Sequence, residues 1–207
     1  MKFTIDEVRQ LVEESLQEVP TGNTYVDQRY NEQIQIVGHT QPYYRLFYRI
    51  AEKFKPRLSV ELGAWRGDAS CHLAGGHPQG QVITIDIHKD GDHAAQAKCR
   101  EAPTYLQNFR YINTWTWDES TVADIRRHAP ISILYVDAWH DIKYVTKEWE
   151  LYSPMLEEEA LVICDDITTA HNFEGMIKFW EDLPGEKFLD SRIHPGIPMG
   201  FLRYVRQ

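Results

Sequence analysis

Arg57-Leu58-Ser59-Val60-Glu61-Leu62-Gly63-Ala64-Trp65-Arg66-Gly67 is an apolar run that ends on a carboxylate, turns at one glycine and reaches a second just before a helical pattern opens at Asp68. A short apolar run, a glycine-bounded turn and a helix read as strand, turn and helix of an α/β sheet. Gly63 permits the tight turn, and Gly67 lets the helix start close to a bound ligand. The alternation continues downstream. Strand patterns fall at 58–61, 81–86, 109–113, 131–137, 160–165, 187–190 and 200–205, and helical patterns at 68–74, 92–101, 119–128, 144–156 and 172–182. Alternation at this spacing predicts a doubly wound parallel sheet with helices on both faces.

The chain before this unit is organised differently. Ile5, Val8, Leu11, Val12, Leu16 and Val19 recur at helical spacing behind Thr4 or Asp6 as N-cap candidates, and Pro20-Thr21-Gly22-Asn23 ends the pattern. From Tyr25 to Gln41 the sequence is polar with few periodic apolar positions, which predicts a loop or lid. Pro42 then opens a helix carrying Tyr43, Leu46, Phe47 and Ile50. The expected organisation is an N-terminal helical extension and lid over 1–55 and one globular unit over 56–207.

At 207 residues, 43% hydrophobic and 12% aromatic, the chain can bury one sizeable core and needs no second. A formal net charge of −9, with no stripe of Lys and Arg, argues against a duplex-binding surface, so nucleic acid is not an expected partner. Cys71, Cys99 and Cys164 are odd in number and widely spaced, which predicts buried reduced thiols in a cytoplasmic protein. Met1 to Val8 lacks the apolar centre of a signal peptide, and no apolar run approaches the ~20 residues of a membrane span. No membrane partner is expected.

Carboxylates stand where the strand patterns end. Asp86 closes Val82-Ile83-Thr84-Ile85 about 20 residues beyond the glycine turn, where an acidic side chain can accept both hydroxyls of a ribose. Asp137 closes the run from Ile131, and Asp165-Asp166 closes the run from Ala160. A strand-helix-strand crossover brings these ends together, and three carboxylates gathered there repel one another unless a cation holds them. Oxygen ligands from Asp137, Asp165 and Asp166 suit a hard divalent cation such as Mg²⁺ rather than zinc. A dinucleotide-binding turn would show Gly-x-Gly-x-x-Gly, whereas here Ala64-Trp65-Arg66 separates Gly63 from Gly67 and Glu61 precedes the turn. A carboxylate in that place repels a pyrophosphate and suits the cationic methionine end of S-adenosylmethionine.

On these residues the chain resembles the class I S-adenosylmethionine-dependent methyltransferases, whose first motif has the acidic-x-Gly-x-x-x-Gly form seen from Glu61 to Gly67. The resemblance covers roughly Leu58 to Val205 and implies a Rossmann-like α/β fold with seven strands, the last, Gly200 to Val205, antiparallel. It implies cofactor contacts from Glu61, Gly63, Ala64, Trp65 and Gly67, a ribose site at Asp86, and an adenine site within Asn113-Thr114-Trp115-Thr116-Trp117-Asp118. There Trp117 or Trp115 can stack on the purine and Asp118 can reach its amino group; a core position for either tryptophan is the alternative.

Asp137-Ala138-Trp139-His140-Asp141 resembles the catechol O-methyltransferase segment in which an aspartate ligand is followed three residues later by a lysine base, with His140 in the lysine's place. The longer stretch through Tyr144-Val145 and Leu156 to Asp165-Asp166 is closer to the macrolide-sugar O-methyltransferases and the cephalosporin-hydroxylase-type proteins. That likeness implies an acidic metal triad, a catalytic role for Asp137 beside the cofactor, and His140 as general base. Glu157-Glu158-Glu159 departs from the pattern, standing where a Gly-Gly turn usually precedes the strand.

The expected function is therefore methyl transfer from S-adenosylmethionine to a hydroxyl of a small molecule, such as a sugar, a natural product or a catechol-like diol, with a divalent cation bound. The partner is that small acceptor, and a homodimer is left open. A nicotinamide-dependent oxidoreductase and a non-catalytic ligand-binding Rossmann-like protein are the alternatives; the missing central glycine and the acidic triad disfavour the first. His88, His171 and His194 have no motif around them, and acceptor specificity is expected in Tyr25 to Tyr44, Trp65-Arg66 and His194 to Pro198.

Overall fold

The computed structural model describes residues 1–87, 93–169, 174–194 and 196–206. Seven strands form one sheet: β1 (Leu58–Leu62), β2 (Gln81–Asp86), β3 (Phe109–Asn113), β4 (Ile131–Val136), β5 (Leu156–Cys164), β6 (Glu186–Asp190) and β7 (Met199–Val205). Their order is β3-β2-β1-β4-β5-β7-β6. β1 to β5 pair in parallel, and β7 runs antiparallel between β5 and β6, as the sequence predicts. The chain builds outward from β1 to β3, then returns to add β4 on β1's other side. That reversal opens a crevice beyond the carboxyl ends of β1 and β4.

Helices α1 (Ile5–Ser15), α2 (Thr24–Val37) and α3 (Pro42–Phe54) precede the sheet. Helices α4 (Asp68–Gly76), α5 (His93–Glu101), α6 (Glu119–His128), α7 (Ile142–Tyr152) and α8 (Glu174–Asp182) follow in alternation with strands. Both sheet faces are covered, so β1 and β4 are buried along their whole length and read as continuous apolar runs. Alternate residues still divide between two cores. Ile133 and Tyr135 of β4 pack with Leu46, Phe47 and Ile50 of α3, while Leu134 and Val136 pack on the opposite face with Val145 of α7.

Two expectations are corrected, and a third group falls outside the described residues. Tyr25 to Gln41 is mostly helix, capped by the Asn23 side chain at its start and by left-handed Gly38 at its end. Its buried stripe is Tyr25, Val26, Arg29, Tyr30 and Gln33, so two inward positions are polar and the apolar period is hidden. Next, α7 stops at Tyr152 and β5 begins at Leu156, which turns Glu157-Glu158-Glu159 from a turn into strand. Those acids are held there. The N-terminal ammonium pairs with Glu157, Ser132 donates to Glu157 at 2.6 Å, and Phe3 N–H and Arg203 donate to Glu159 at 3.2 and 2.9 Å. Last, the predicted helix starts at Asp92 and Asn172, with His88 and His171, lie outside the described residues. Cys71, Cys99 and Cys164 are buried and free, as expected. No described helix is long and apolar enough to cross a membrane.

Candidate active site

The turn after β1 is shaped by its neighbours before any ligand. Gly63 has φ +90°, and a Cβ at that position would overlap the Asp137 carbonyl oxygen. Gly63 N–H donates to Ile85 O at 2.9 Å and Asp137 N–H to Leu62 O at 2.8 Å, which stitches the turn to the ends of β2 and β4. Asp86 completes it: Oδ2 accepts the N–H of Ala64 at 2.9 Å and of Trp65 at 2.6 Å. Gly67, expected beside a ligand, instead points at Cys99 Sγ and Phe109 Cζ, which a Cβ would meet at 3.2 and 3.3 Å. Its left-handed φ of +72° starts α4, and it does not line the cavity. Glu61 is buried and receives the Thr84 hydroxyl; burial pushes its carboxyl up to about 8, Thr84 opposes, and Asp137 and Asp86 add to the rise.

Beyond this turn lies a cavity of about 390 Å³, within the size range of small-molecule sites. Glu61, Gly63, Ala64, Trp65, Arg66 and Asp86 form one wall; Asp137, Trp139, Asp165, Asp166 and His194 form the other. Gln33 and Val37 of α2, with Tyr43 and Tyr44 of α3, complete the lining. Trp115 and Thr116 also line it, but Trp117 and Asp118 do not. Asp118 is occupied as the N-cap of α6, accepting from Thr121 N–H at 2.9 Å. Trp117 lies between Trp115 and Tyr144, its ring centroid 5.0 and 5.1 Å from theirs. Of these two tryptophans, Trp115 is the one that faces the cavity. Thr116 beside it is fixed from behind, its hydroxyl donating to buried Glu148 and its carbonyl accepting from Tyr152 at 2.6 Å.

The three aspartates do come together, and with them two histidines. Tyr135 OH lies 3.0 Å from Asp137 Oδ2 and 2.8 Å from Asp165 Oδ2, so one phenol proton bridges two carboxylates. His194 Nδ1 is 3.1 Å from Asp165 Oδ1. His140 Nε2 is 3.0 Å from Asp166 Oδ2 and 3.9 Å from Asp137 Oδ1. Burial pulls the His140 imidazole down, but Asp137 and Asp166 outweigh it and hold it up at about 9. Burial and the Asp165 charge push Asp137 up, with His140 opposing. Asp166 sits at φ +57°, a strained conformation for a residue with a Cβ. Gly175 of α8 lets that helix press against the backbone of His140 to Ile142, which fixes the loop carrying His140.

Sequence reasoning missed Tyr135, and it named His194 and Gln33 only within segments expected to set acceptor specificity. Tyr135 had a signal, since a strand's period of two places it on the same side as Asp137. His194 comes from the connection between β6 and β7, and its pairing with Asp165 had none.

A Rossmann-like sheet with a glycine turn, a strand-end acid at Asp86 and a cavity at the switch point defines the class I methyltransferase fold. Residues 60–167 match the family model described as methyltransferase domain, and the chain belongs to that family. Several solved structures share the fold. The O-methyltransferase TomG of Streptomyces achromogenes, involved in tomaymycin synthesis and solved with S-adenosylmethionine, is 16% identical over 91% of each chain with a TM-score of 0.61. An O-methyltransferase from Bacillus cereus, solved with S-adenosylhomocysteine, is 15% identical over 93% of this chain and 90% of its own, TM-score 0.61. A methyltransferase from Geobacter sulfurreducens is 16% identical over 89% and 91%, TM-score 0.59. No curated protein matches the sequence.

Proposed function

We propose that this methyltransferase uses S-adenosylmethionine to methylate a hydroxyl of a small molecule, assisted by a divalent cation. The observation that carries the reading is the juxtaposition across one cavity of the Glu61–Trp65 turn with Asp86 and the Asp137–Asp165–Asp166 cluster with its histidines. Asp86, oriented by two backbone amides through Oδ2, offers its other oxygen to the ribose hydroxyls. Trp115 offers a face to the purine. The methionine end then lies along Gly63, Ala64 and Trp65, with the sulfonium directed toward the aspartates.

The far wall fits a cation. Ligand atoms of Asp137, His140 and Asp166 lie within 4.8 Å of one another, as do those of Asp165, Asp166 and His194. Carboxylates alone suit Mg²⁺; the His194 imidazole beside Asp165 and Asp166 extends the fit to ions that accept nitrogen, such as Mn²⁺. When bound, such an ion would orient the acceptor hydroxyl and lower its pKa. We assign the proton-accepting role to His140, whose Nε2 lies 3.0 Å from Asp166 behind this wall; a bound cation would offset the carboxylate charge that otherwise keeps the imidazole protonated. Tyr43 and Trp139 line the space where an acceptor ring would lie, which suits a sugar or an aromatic diol.

Thermal unfolding tests the cofactor. S-adenosylhomocysteine at 100 times its dissociation constant should add ~2.7 kcal/mol of apparent stability, and NAD⁺ at the same concentration should add nothing. Stabilisation by NAD⁺ alone would select the oxidoreductase reading.

A further inference from the structure

Arg29, Arg66 and Asp68 form a buried ion cluster between α2 and the start of α4. Arg29 Nε donates to Asp68 Oδ1 at 2.7 Å and Arg66 Nε to Asp68 Oδ2 at 3.1 Å, so one carboxylate serves two guanidiniums. Arg66 Nη2 is buried without a hydrogen bond and has only an ion pair to Glu32 at 3.6 Å. Glu32 is itself engaged by Lys98 at 2.9 Å. Arg66 is also the one Arg or Lys among the described residues that line the cavity.

Gln33, next to Glu32 in the chain, lines the same cavity and is 1% exposed. Neither its Nε2 nor its Oε1 has a hydrogen-bond partner. A buried amide unmet at both ends destabilises a fold unless something else meets it. An amide offering one donor and one acceptor, close in the chain to a partner of a guanidinium, matches an α-amino-acid group: its N–H donates to the carboxylate and its carbonyl accepts from the ammonium. Elsewhere the cavity presents Glu61, Asp86, Asp137, Asp165 and Asp166, which repel a ligand carboxylate. Of the described groups on its wall that can carry positive charge, His194 is already engaged by Asp165 at 3.1 Å, which leaves the Arg66 side to attract one.

We propose that Gln33 and Arg66 hold the amino-acid end of the methyl donor, an assignment that rests on the S-adenosylmethionine reading above. α2 is then part of the donor site, and a donor stripped of its amino-acid group loses these contacts.

Calorimetry with S-adenosylhomocysteine and with methylthioadenosine, which lacks that group, tests it. Wild type should bind the first more tightly. Gln33→Leu should weaken S-adenosylhomocysteine on the order of 10- to 100-fold and leave methylthioadenosine unchanged. Because the leucine removes an unmet buried amide, the ligand-free variant should melt ~2–4 °C higher. Arg66→Lys, which keeps the charge but gives up one arm of the fork, should shift the two ligands in the same unequal way. Equal weakening of both ligands, or unchanged binding of both, overturns the assignment. Wild-type protein that binds neither nucleoside contradicts the methyl-donor reading itself, a result separate from any behaviour of the variants.

Discussion

On the turn side of the cavity Asp86 is satisfied by two backbone amides, whereas on the far side Asp137 and Asp165 share a tyrosine proton and lean on His140 and His194. The first arrangement is local: it is built within the strand-turn-strand from β1 to β2 and depends on backbone shape. The second is assembled from β4, β5 and the connection between β6 and β7, and depends on charge. Shape tolerates little substitution. Charge tolerates geometry better and responds to whatever cation is present. The two imidazoles also change an expectation drawn from the carboxylates alone, because part of the counter-charge is already in the chain.

This contrast can be broken from either side. The largest effect should come from the charged wall: Asp137→Ala, or exhaustive chelation of wild type, should abolish methyl transfer while S-adenosylhomocysteine still binds. Full turnover after metal removal would leave His140 and His194 as the only counter-charges the site uses. His140→Ala should lower single-turnover methyl transfer 10²–10⁴-fold, again with cofactor binding intact. Wild-type chemistry in that variant would move the base to another group.

The turn should fail differently. Gly63→Ala forces a methyl into the Asp137 carbonyl at positive φ and should cost about 3 kcal/mol or more in denaturant stability. Gly67→Ala, which meets only side-chain atoms at 3.2 and 3.3 Å, should cost less, about 1–2 kcal/mol. Equal losses would show that the packing against β4 is not what Gly63 serves.

A smaller, pH-dependent effect lies behind the cavity wall at Glu148, which receives the Thr116 hydroxyl. Burial pushes its carboxyl from 4.5 up to about 7, with Thr116 opposing. The folded chain therefore holds a proton there that the unfolded chain releases. Its stabilising contribution is complete below about pH 4.5 and is lost as pH rises through about 7, a change of up to about 3 kcal/mol. Glu148→Gln should flatten wild type's stability difference across that window. Parallel pH curves for the two proteins would mean Glu148 is ionised in the fold.

Legibility followed the same divide. The strand from Leu58, the glycine turn and Asp86 were readable because period, glycine and strand-end acid lie within 30 residues. Asp137 and Asp165 were readable as strand ends. α2 was not, since Arg29 and Gln33 occupy its inward stripe, paired or poised against groups from α4 and the turn that no local pattern reveals. His194 was not either, because its partner Asp165 lies 29 residues away and nothing in the connecting sequence points to it. Trp115 and Trp117 were separable only by packing: both are aromatic near a strand end, and Tyr144 of α7 decides which is covered.

The central claim is that the turn and Asp86 form a donor site for an adenosyl ligand, and titration calorimetry with S-adenosylhomocysteine on wild type and Asp86→Ala tests it most directly. The account predicts saturable one-to-one binding to wild type, weakened at least 10-fold in the variant as two ribose hydrogen bonds and the turn's anchor are lost. Equal affinity in the two proteins, or tighter binding of NAD⁺ than of S-adenosylhomocysteine by wild type, would contradict it.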